Sequence, residues 1–360
     1  MKTTRFILTA AVAIGMTACA HGPKDTTPAS GASEFEQALP TEAVIGITLP
    51  GDGTAQGALT EGGYGTQEGA LVGATSELWA HTAGTAAGVR FGLAAILLPI
   101  RWVVTHVPPV LIGQNKALWT GTEPLDPQRH ALFVEKKPDG HFTFLLASQL
   151  KAPPGAKWRV QVAGTYTPDG TPDIAQGAVW VNLDNDLKPE TQGKVMALWS
   201  HNGPEREVSV LFFNFTDDNG KNPPTDSAYH FQQNADQSGL AVQAIKDIDI
   251  NKGEPGKEAL EHALLVSRWT AEGAGRADAF AAGGDVAEAG YEVAVQTQCW
   301  AADSFKTTFE ALTVKKAGAE PFQAKKDGDF STCPFADEPK AELPEQGEAP
   351  TDPAMPVEIQ

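Results

Sequence analysis

Much of the chain after residue 116 alternates between hydrophobic and polar positions in short runs. Such period-2 runs, separated by turn sequences such as Pro138-Asp139-Gly140, predict β-strands. Links between the runs are mostly too short for parallel crossovers, so we expect neighbouring strands to pair antiparallel. The pattern predicts a mainly β fold, either a large antiparallel sandwich or a curved barrel-like sheet. Twelve runs fit it: 129–137, 141–149, 157–167, 176–184, 193–201, 206–216, 227–234, 239–250, 259–270, 276–281, 291–300 and 305–314.

An Ala-rich region with a different spacing precedes the strands. Between residues 67 and 98, hydrophobic positions such as Leu78, Leu93 and Leu97 recur at intervals compatible with one or two helices. Pro99 lacks a backbone N–H and is expected to end the helical run. We therefore expect one or two N-terminal helices packed against the sheet. Upstream, residues 43–49 alternate as in one further strand.

Residues 91–113 are the most apolar part of the chain after its N-terminal segment. A membrane span is one explanation of this composition. However, Arg101 would place a charge in hydrocarbon, and Pro99 and the Pro108-Pro109 pair would leave backbone groups unpaired there. The sequence favours a buried helix that is followed by an extended segment.

The N-terminus carries a targeting pattern. Lys2 and Arg5 precede an apolar run at residues 6–16, which is shorter than the span of about 20 residues that a membrane helix needs. The run ends in Met16-Thr17-Ala18-Cys19, which resembles the lipobox of bacterial lipoprotein signal peptides, although most such boxes carry Leu at the position of Met16. The resemblance implies cleavage after Ala18 and acylation of Cys19, whose lipid chains would anchor the protein in a membrane.

Two further expectations depend on this resemblance. Lipoproteins with Asp directly after the modified Cys are commonly retained in the inner membrane, whereas this chain has Ala20, which points to the outer membrane. An ordinary secretory peptide cut near Ala20 is the alternative. The remainder of the chain resembles uncharacterised Gram-negative envelope lipoproteins in its general pattern only, so no ligand residues are carried over.

Composition divides the chain and limits its partners. Without Lys2 and Arg5, the chain keeps 25 basic against 45 acidic residues, a net charge of −20, which disfavours nucleic acid as a partner. Pro- and Ser-rich sequence predicts a flexible stalk near the N-terminus, and acidic residues with interspersed prolines predict a disordered tail. The predicted segments are a signal peptide at 1–18, the stalk at 19–43, a β-rich body at 44–335 and the acidic tail at 336–360.

Two cysteines remain beside Cys19. In an oxidising compartment, Cys299 and Cys333 are expected to form a disulfide. A redox-active pair is the alternative, but the chain has no Cys-x-x-Cys sequence. We therefore expect a structural bond that holds the C-terminal segment on the body.

One stretch resembles a calcium-binding loop. Asp247, Asp249 and Asn251 occupy its first, third and fifth positions, and Glu258 occupies the twelfth. Lys252 stands where such a loop requires Gly, and the preceding residues alternate like a strand. A strand with outward carboxylates, followed by a turn, is the alternative to a calcium site, and calcium is the one cofactor that the sequence suggests.

Arginine and tryptophan cluster near the C-terminal end of the predicted body. Arg268 or Arg276 could pair with Asp278 across strands or stack on Trp269 or Trp300. We expect these contacts to support the fold, with ligand recognition as the alternative.

No catalytic motif is present in the sequence. It has no Gly-x-Ser-x-Gly elbow and no His-Glu-x-x-His. We therefore expect a non-enzymatic lipoprotein that acts as a binding or interaction module in the cell envelope. The alternative is a carrier of a lipid or small hydrophobic ligand, in which the strands enclose a hollow that residues 91–112 line or plug.

Overall fold

The structure is a computed structural model of the 360-residue chain. The signal peptide, Cys19, Asn251 and most of the C-terminal tail lie outside the residues that it describes, so the predictions on them stay predictions. The described residues are 32–40, 45–46, 49–50, 72–122, 126–153, 155–168, 174–185, 192–216, 224–250 and 255–338.

Fifteen antiparallel strands form one sheet in which each strand pairs with the next along the chain. This meander confirms the predicted mainly β fold, and each of the twelve predicted runs is a strand. The strands are β1 Leu111–Ile112, β2 Lys116–Gly121, β3 Gln128–Lys136, β4 Phe142–Leu150, β5 Arg159–Pro168, β6 Ile174–Asn182, β7 Gln192–Asn202, β8 Glu205–Thr216, β9 Thr225–Gln233, β10 Gly239–Ile248, β11 Glu261–Trp269, β12 Gly275–Gly283, β13 Val293–Trp300, β14 Thr307–Lys315 and β15 Phe322–Gly328.

Helices are few among the described residues. A short helix α1 spans Ala32–Phe35 and continues as a 3₁₀ turn at Glu36–Ala38, a long helix α2 spans Glu77–His106, and a short helix α3 spans Gly284–Glu288. Two further 3₁₀ turns lie at Leu183–Asn185 and Phe330–Thr332.

The main core lies between α2 and one face of the sheet, here called the inner face. Because side chains from β2 through β13 join one cluster with the helix, the sheet curves around α2. On the helix the cluster includes Leu78, Trp79, Val89, Leu93, Leu97, Ile100 and Val104; on the sheet it includes Trp119, Val134, Phe144, Val162, Val179, Trp199, Val210, Phe231, Ala241, Leu265, Ala277 and Trp300.

Glycines make room for indole rings on the inner face. Gly275 on β12 is paired with Trp300 on β13, and a Cβ atom at Gly275 would lie 2.3 Å from Cζ2 of that ring. Gly239 on β10 is likewise paired with Trp269 on β11, and a Cβ atom at Gly239 would lie 2.4 Å from Cζ2 of that ring. Each ring therefore lies flat over its neighbouring strand, where a larger residue would displace it.

Helix α2 differs from its predicted bounds. It begins at Glu77, after Ser76, whose hydroxyl accepts a hydrogen bond from the backbone N–H of Trp79 at 3.2 Å. It continues through Pro99 to His106, so the prediction that Pro99 ends the helix was wrong. Residues after that position, including Ile100 and Val104, are buried in the main core, and this burial offsets the loss of one backbone hydrogen bond.

Length and composition alone would allow α2 to cross a membrane, and 47% of its most apolar 18-residue window is buried in the fold. Its packing against strands from most of the sheet is that of a core helix. The expected extended segment follows at Val107, leading to β1. The structure thus has a helix that is buried on one side and exposed on another, followed by an extended chain.

Two predicted boundaries need correction. The end of the predicted stalk belongs to the fold, because Phe35 is buried with its ring edge-on to Trp119 at a centroid distance of 6.3 Å. The carbonyl of Leu39 also accepts a hydrogen bond from Arg101 at 2.8 Å. The predicted tail begins too early, since residues 336–338 are held by contacts described below. Of the strand predicted at 43–49, residues 45, 46 and 49 are described and none is in a strand.

Candidate functional site

The N-terminal half of α2 is fixed in an aromatic cluster inside the curved sheet. The ring of Trp79 stacks on Phe305 with centroids 5.0 Å apart. The ring of Trp300 lies 5.2 Å away at a tilt, and that of Trp269 lies 6.2 Å away edge-on. Because all these tryptophans are fully buried, this end of the sheet interior is closed by side chains.

Polar contacts fix the same half of the helix. Gln298 on β13 accepts hydrogen bonds from the Ser76 hydroxyl at 2.9 Å and from the backbone N–H of Leu78 at 3.1 Å. One helical turn later, the hydroxyl of Thr82 lies 2.6 Å from that of Ser267 on β11. These groups are buried, so their hydrogen bonds replace those to water and set the position of α2 along the strands.

His81 and Tyr229 show how little charge this interior tolerates. Burial lowers the pKa of His81 to about 4, against a hydrogen bond with Gln243 that raises it. Burial likewise raises the pKa of Tyr229 above its usual value. Both groups are therefore neutral near pH 7, and neither is poised to exchange protons there.

A small apolar cavity lies between the middle of α2 and strands β6 to β8. Its volume is about 30 Å³, and its lining includes Leu93, Val195 and Phe212. Pockets for small-molecule ligands usually measure about 300–1,000 Å³. This cavity has room for about one water molecule, so the helix fills this part of the interior where a carrier would keep a hollow.

The C-terminal half of α2 and the segment after it expose large hydrophobic side chains. Positions 91, 98 and 102 follow helical spacing and so lie on one side of α2. Scattered exposed hydrophobic residues are ordinary, but several on one side of a helix, with three more in the segment that follows it, are typical of a binding surface. We call the group the apolar surface; with the exposed fraction of each residue, it consists of Phe91 (57%), Leu98 (43%), Trp102 (40%), Val110 (62%), Leu111 (62%) and Ile112 (39%).

Strand β1 adds unpaired backbone to this surface. Leu111 pairs with Leu118, and Ile112 pairs with Ala117, both on β2. Within the residues that the structure describes, no strand pairs with the other side of β1. An open edge with exposed apolar side chains is a site where another polypeptide can add a strand. The alternative in which residues 91–112 line or plug a hollow stays a prediction, and the side chains of the apolar surface itself are exposed.

A buried ion pair lies on the outer face of the sheet, opposite α2. The guanidinium of Arg276 is 2.9 Å from the carboxylate of Asp278, which also accepts a hydrogen bond from Thr297 at 2.7 Å. Both charged residues belong to β12 rather than to neighbouring strands, and Arg276 lies over Phe330, 5.3 Å from the ring centroid, instead of on a tryptophan. The pair is buried and hydrogen-bonded, which agrees with the expected structural role.

The C-terminal segment is attached at this ion pair. Cys299 and Cys333 form the expected disulfide, with their Cα atoms 5.5 Å apart. Arg276 donates hydrogen bonds to the carbonyls of Phe335 at 2.9 Å and Glu338 at 3.1 Å. A disulfide and a buried arginine therefore hold residues 333–338 on the outer face.

The described residues of the suggested calcium loop, Asp247, Asp249 and Glu258, are not grouped as metal ligands. Asp247 lies in a bulge of β10 with φ of 58°, and its carboxylate is 3.9 Å from the His262 ring. Glu258 accepts a hydrogen bond from the backbone N–H of Gly256 at 3.1 Å. Across the described residues, no three His, Cys, Asp or Glu side chains are grouped to hold a metal ion.

Strands flank this stretch rather than helices, as in the alternative explanation. The backbone N–H of Ile250, next to Asp249, donates a hydrogen bond to Glu261 at 3.2 Å. Asn251 lies outside the described residues, so its proposed role as a ligand stays a prediction.

The contacts that fix α2 were not predicted, since Gln298 and Trp79 belong to no recognisable sequence motif. Their one signal is the bulky and polar composition of the first helical turns, in contrast to the apolar residues that follow. In comparisons with known proteins, no family model, curated protein or solved structure matches this chain.

Proposed function

We propose that this protein is a lipid-anchored lipoprotein of the outer membrane that binds another envelope protein and catalyses no reaction. The apolar surface on α2 and β1 is the observation that supports the binding role. Six large hydrophobic residues are exposed there beside an open strand edge. Exposing such a group to water is unfavourable unless a partner covers it.

The packing of the interior supports an interaction module over a ligand carrier. Trp79 and its neighbours close one end of the sheet interior, and the apolar cavity beside Leu93 holds about 30 Å³. A carrier of a lipid or small hydrophobic molecule needs about ten times this volume or more. A carrier remains the alternative function because the cavity is apolar.

The anchor in this proposal is the lipid on Cys19. Acylation at this position would hold the body at a membrane without any contribution from α2. The absence of Asp at position 20 supports the outer membrane as the location. Labelling of the protein with radioactive palmitate tests the anchor, and the Cys19→Ala variant should lose both the label and the cleavage of the signal peptide. Label retained in that variant, or absent from the original chain, would contradict the anchor.

A photo-crosslinking residue at position 111 tests the binding surface in living cells. We expect Leu111 replaced by such a residue to yield one discrete adduct with another envelope protein. Trp158 is the matched control, because it is also an exposed hydrophobic residue but lies outside the apolar surface. Equal adducts from both positions, or none from position 111, would reject the proposed surface.

Native mass spectrometry separates the two functions. The soluble body, purified without Cys19, should show the mass of the protein alone if it is an interaction module. A lipid retained at one molecule per chain would instead establish the carrier and reject the module.

A further inference from the structure

The outer face of the sheet carries a second hydrophobic group, which we call the outer patch. It is formed by strands β10 to β13 on the side opposite α2, as the alternation with inner residues such as Leu265 requires. The outer patch consists of Leu240, Val242, Ala244, Leu264, Val266, Phe280, Val293 and Val295.

Three central residues of the outer patch are buried like core side chains. Leu264, Val266 and Phe280 are 7, 5 and 6% exposed. The hydrophobic side chains packed against them within the described part of the chain belong to the same four strands. A side chain on a sheet face remains open to solvent from above unless something lies over it. This burial therefore calls for a covering segment.

The C-terminal segment approaches the outer patch along the same face. It starts at the disulfide on β13, passes Arg276 on β12, and reaches Arg268 on β11, whose guanidinium is 3.2 Å from the Glu338 carboxylate. Arg268 lies two residues from Val266 on the same side of β11, about 7 Å along the strand. The chain is thus delivered to the border of the outer patch.

The rest of the chain has the length and the pattern to cover it. The 22 residues from 339 to 360 can extend over about 70 Å, whereas four strands span about 15–20 Å. Their composition is acidic and Pro-rich until the end, where Met355, Val357 and Ile359 alternate with Pro356 and Glu358. Alternation of this kind places the three apolar side chains on one side of an extended chain.

We infer that the last six residues of this chain, 355–360, dock on the outer patch, with Met355, Val357 and Ile359 packed over Val266 and its neighbours. The disulfide and Arg276 act as the hinge that directs the tail there. This docking departs from the disorder predicted for these six residues. The inference is independent of the proposed function.

Thiol reactivity at position 242 tests this docking in the full soluble chain without Cys19. Val242→Cys places a small thiol in the outer patch, and its labelling rate is compared with and without Met355, Val357 and Ile359 each replaced by Ser. Loss of even one buried aliphatic contact corresponds to about tenfold in equilibrium, so we expect labelling to become about tenfold faster or more. Leu198→Cys, on the outer side of β7, is the control and should not change.

A check of the fold and a dilution series complete the test. The triple Ser variant keeps the chain length, the disulfide and the ion pair, so its fold is expected to be intact, and a far-ultraviolet circular dichroism spectrum checks this. Protection that is unchanged on dilution supports docking of the chain's own tail. Equal labelling rates for the original tail and the triple Ser variant would overturn the inference. Protection of the thiol at position 242 that is lost on dilution would also overturn it, because the contact would then come from a second copy of the chain.

Discussion

The two halves of α2 lie in the same curved sheet but have opposite relations to it. In the first half, Trp79 and Thr82 are fully buried and make specific contacts with β11 to β13. In the second half, one side of the helix is buried through residues such as Leu97, whereas Phe91 and Trp102 on another side are exposed. One half therefore positions the helix, and the other presents a surface.

The difference follows from which residues each half offers. Large aromatic rings and hydroxyl groups need particular partners, and the sheet supplies Trp300, Gln298 and Ser267 at matching positions. The second half is apolar on more than one side, but a sheet that curves around a helix covers it incompletely. Large hydrophobic residues on the uncovered side, such as Phe91 and Leu98, are exposed, and this exposure is the physical basis of the proposed binding role.

Replacing Trp79 by Ala is expected to have the largest effect on stability. The substitution leaves a large cavity between Phe305 and Trp300, and large-to-small changes of this kind cost about 3–5 kcal/mol. Unfolding in urea, followed by circular dichroism, measures the loss. Trp102→Ala is the control within the same helix, and an equal loss in both variants would remove the distinction between the halves.

Gly275→Val should come second, because it disturbs the ring against which Trp79 packs. A Cβ at this position would lie 2.3 Å from both the Trp300 ring and the carbonyl oxygen of Arg268. Overpacking usually costs about 1–3 kcal/mol, and we expect a value near 3 because one of the contacts is with the backbone. Gly121→Val is the control, because a Cβ at this position would have open space around it. Equal destabilisation of the two variants would show that the ring contact is unimportant.

Acidification should loosen the first half of the helix through His81. Its pKa is about 4 in the folded chain, below the usual 6.5, so the unfolded chain binds the proton more readily between these values. Stability is nearly unaffected by this group well above pH 6.5 and falls as the pH drops from 6.5 towards 4, by about 2.5 kcal/mol. Urea unfolding at several pH values measures the slope. His81→Gln should flatten this part of the curve, and an unchanged slope would exclude His81 as its source.

The strand pattern was predictable because many of the strands, such as β7, alternate between buried and more exposed positions. Strand β15 was missed because its side chains are almost all exposed, which leaves no alternation to recognise. The prediction placed the helical region at 67–98, whereas α2 spans Glu77–His106, because Pro99 was interpreted from its local effect as the end of a helix. Burial of Ile100 and Val104 outweighs the local effect of Pro99. This burial depends on strands that are distant in sequence, so a local pattern could not predict it.

Of the candidate site, the sequence predicted only that the segment containing it is unusually apolar. Residues 91–112 stood out as apolar, but the sequence could not distinguish the buried side of α2 from its exposed side. The contacts of Gln298 with Ser76 and Leu78 join residues more than 200 positions apart, and no local pattern encodes them. The disulfide was predictable because two cysteines allow a single pairing once Cys19 is assigned to the lipid.

The smallest effect on stability is expected at the apolar surface, where Leu111→Ser and Trp102→Ser change exposed residues. Surface substitutions of this kind usually alter stability by less than about 0.5 kcal/mol, and the partial stacking of Trp102 on His106, with centroids 5.2 Å apart, adds little in water.

The same two variants should have a large effect on partner recovery. Hydrophobic anchors at the centre of an interface often contribute about 2 kcal/mol or more, so recovery of the partner from cells treated with a general chemical crosslinker should fall by about tenfold or more. Trp158→Ser is the control for exposure alone. A large loss of stability in either variant would mean that the second half of α2 also positions the helix. Unchanged partner recovery would mean that these side chains do not bind, and the contrast between the two halves would then concern packing without function.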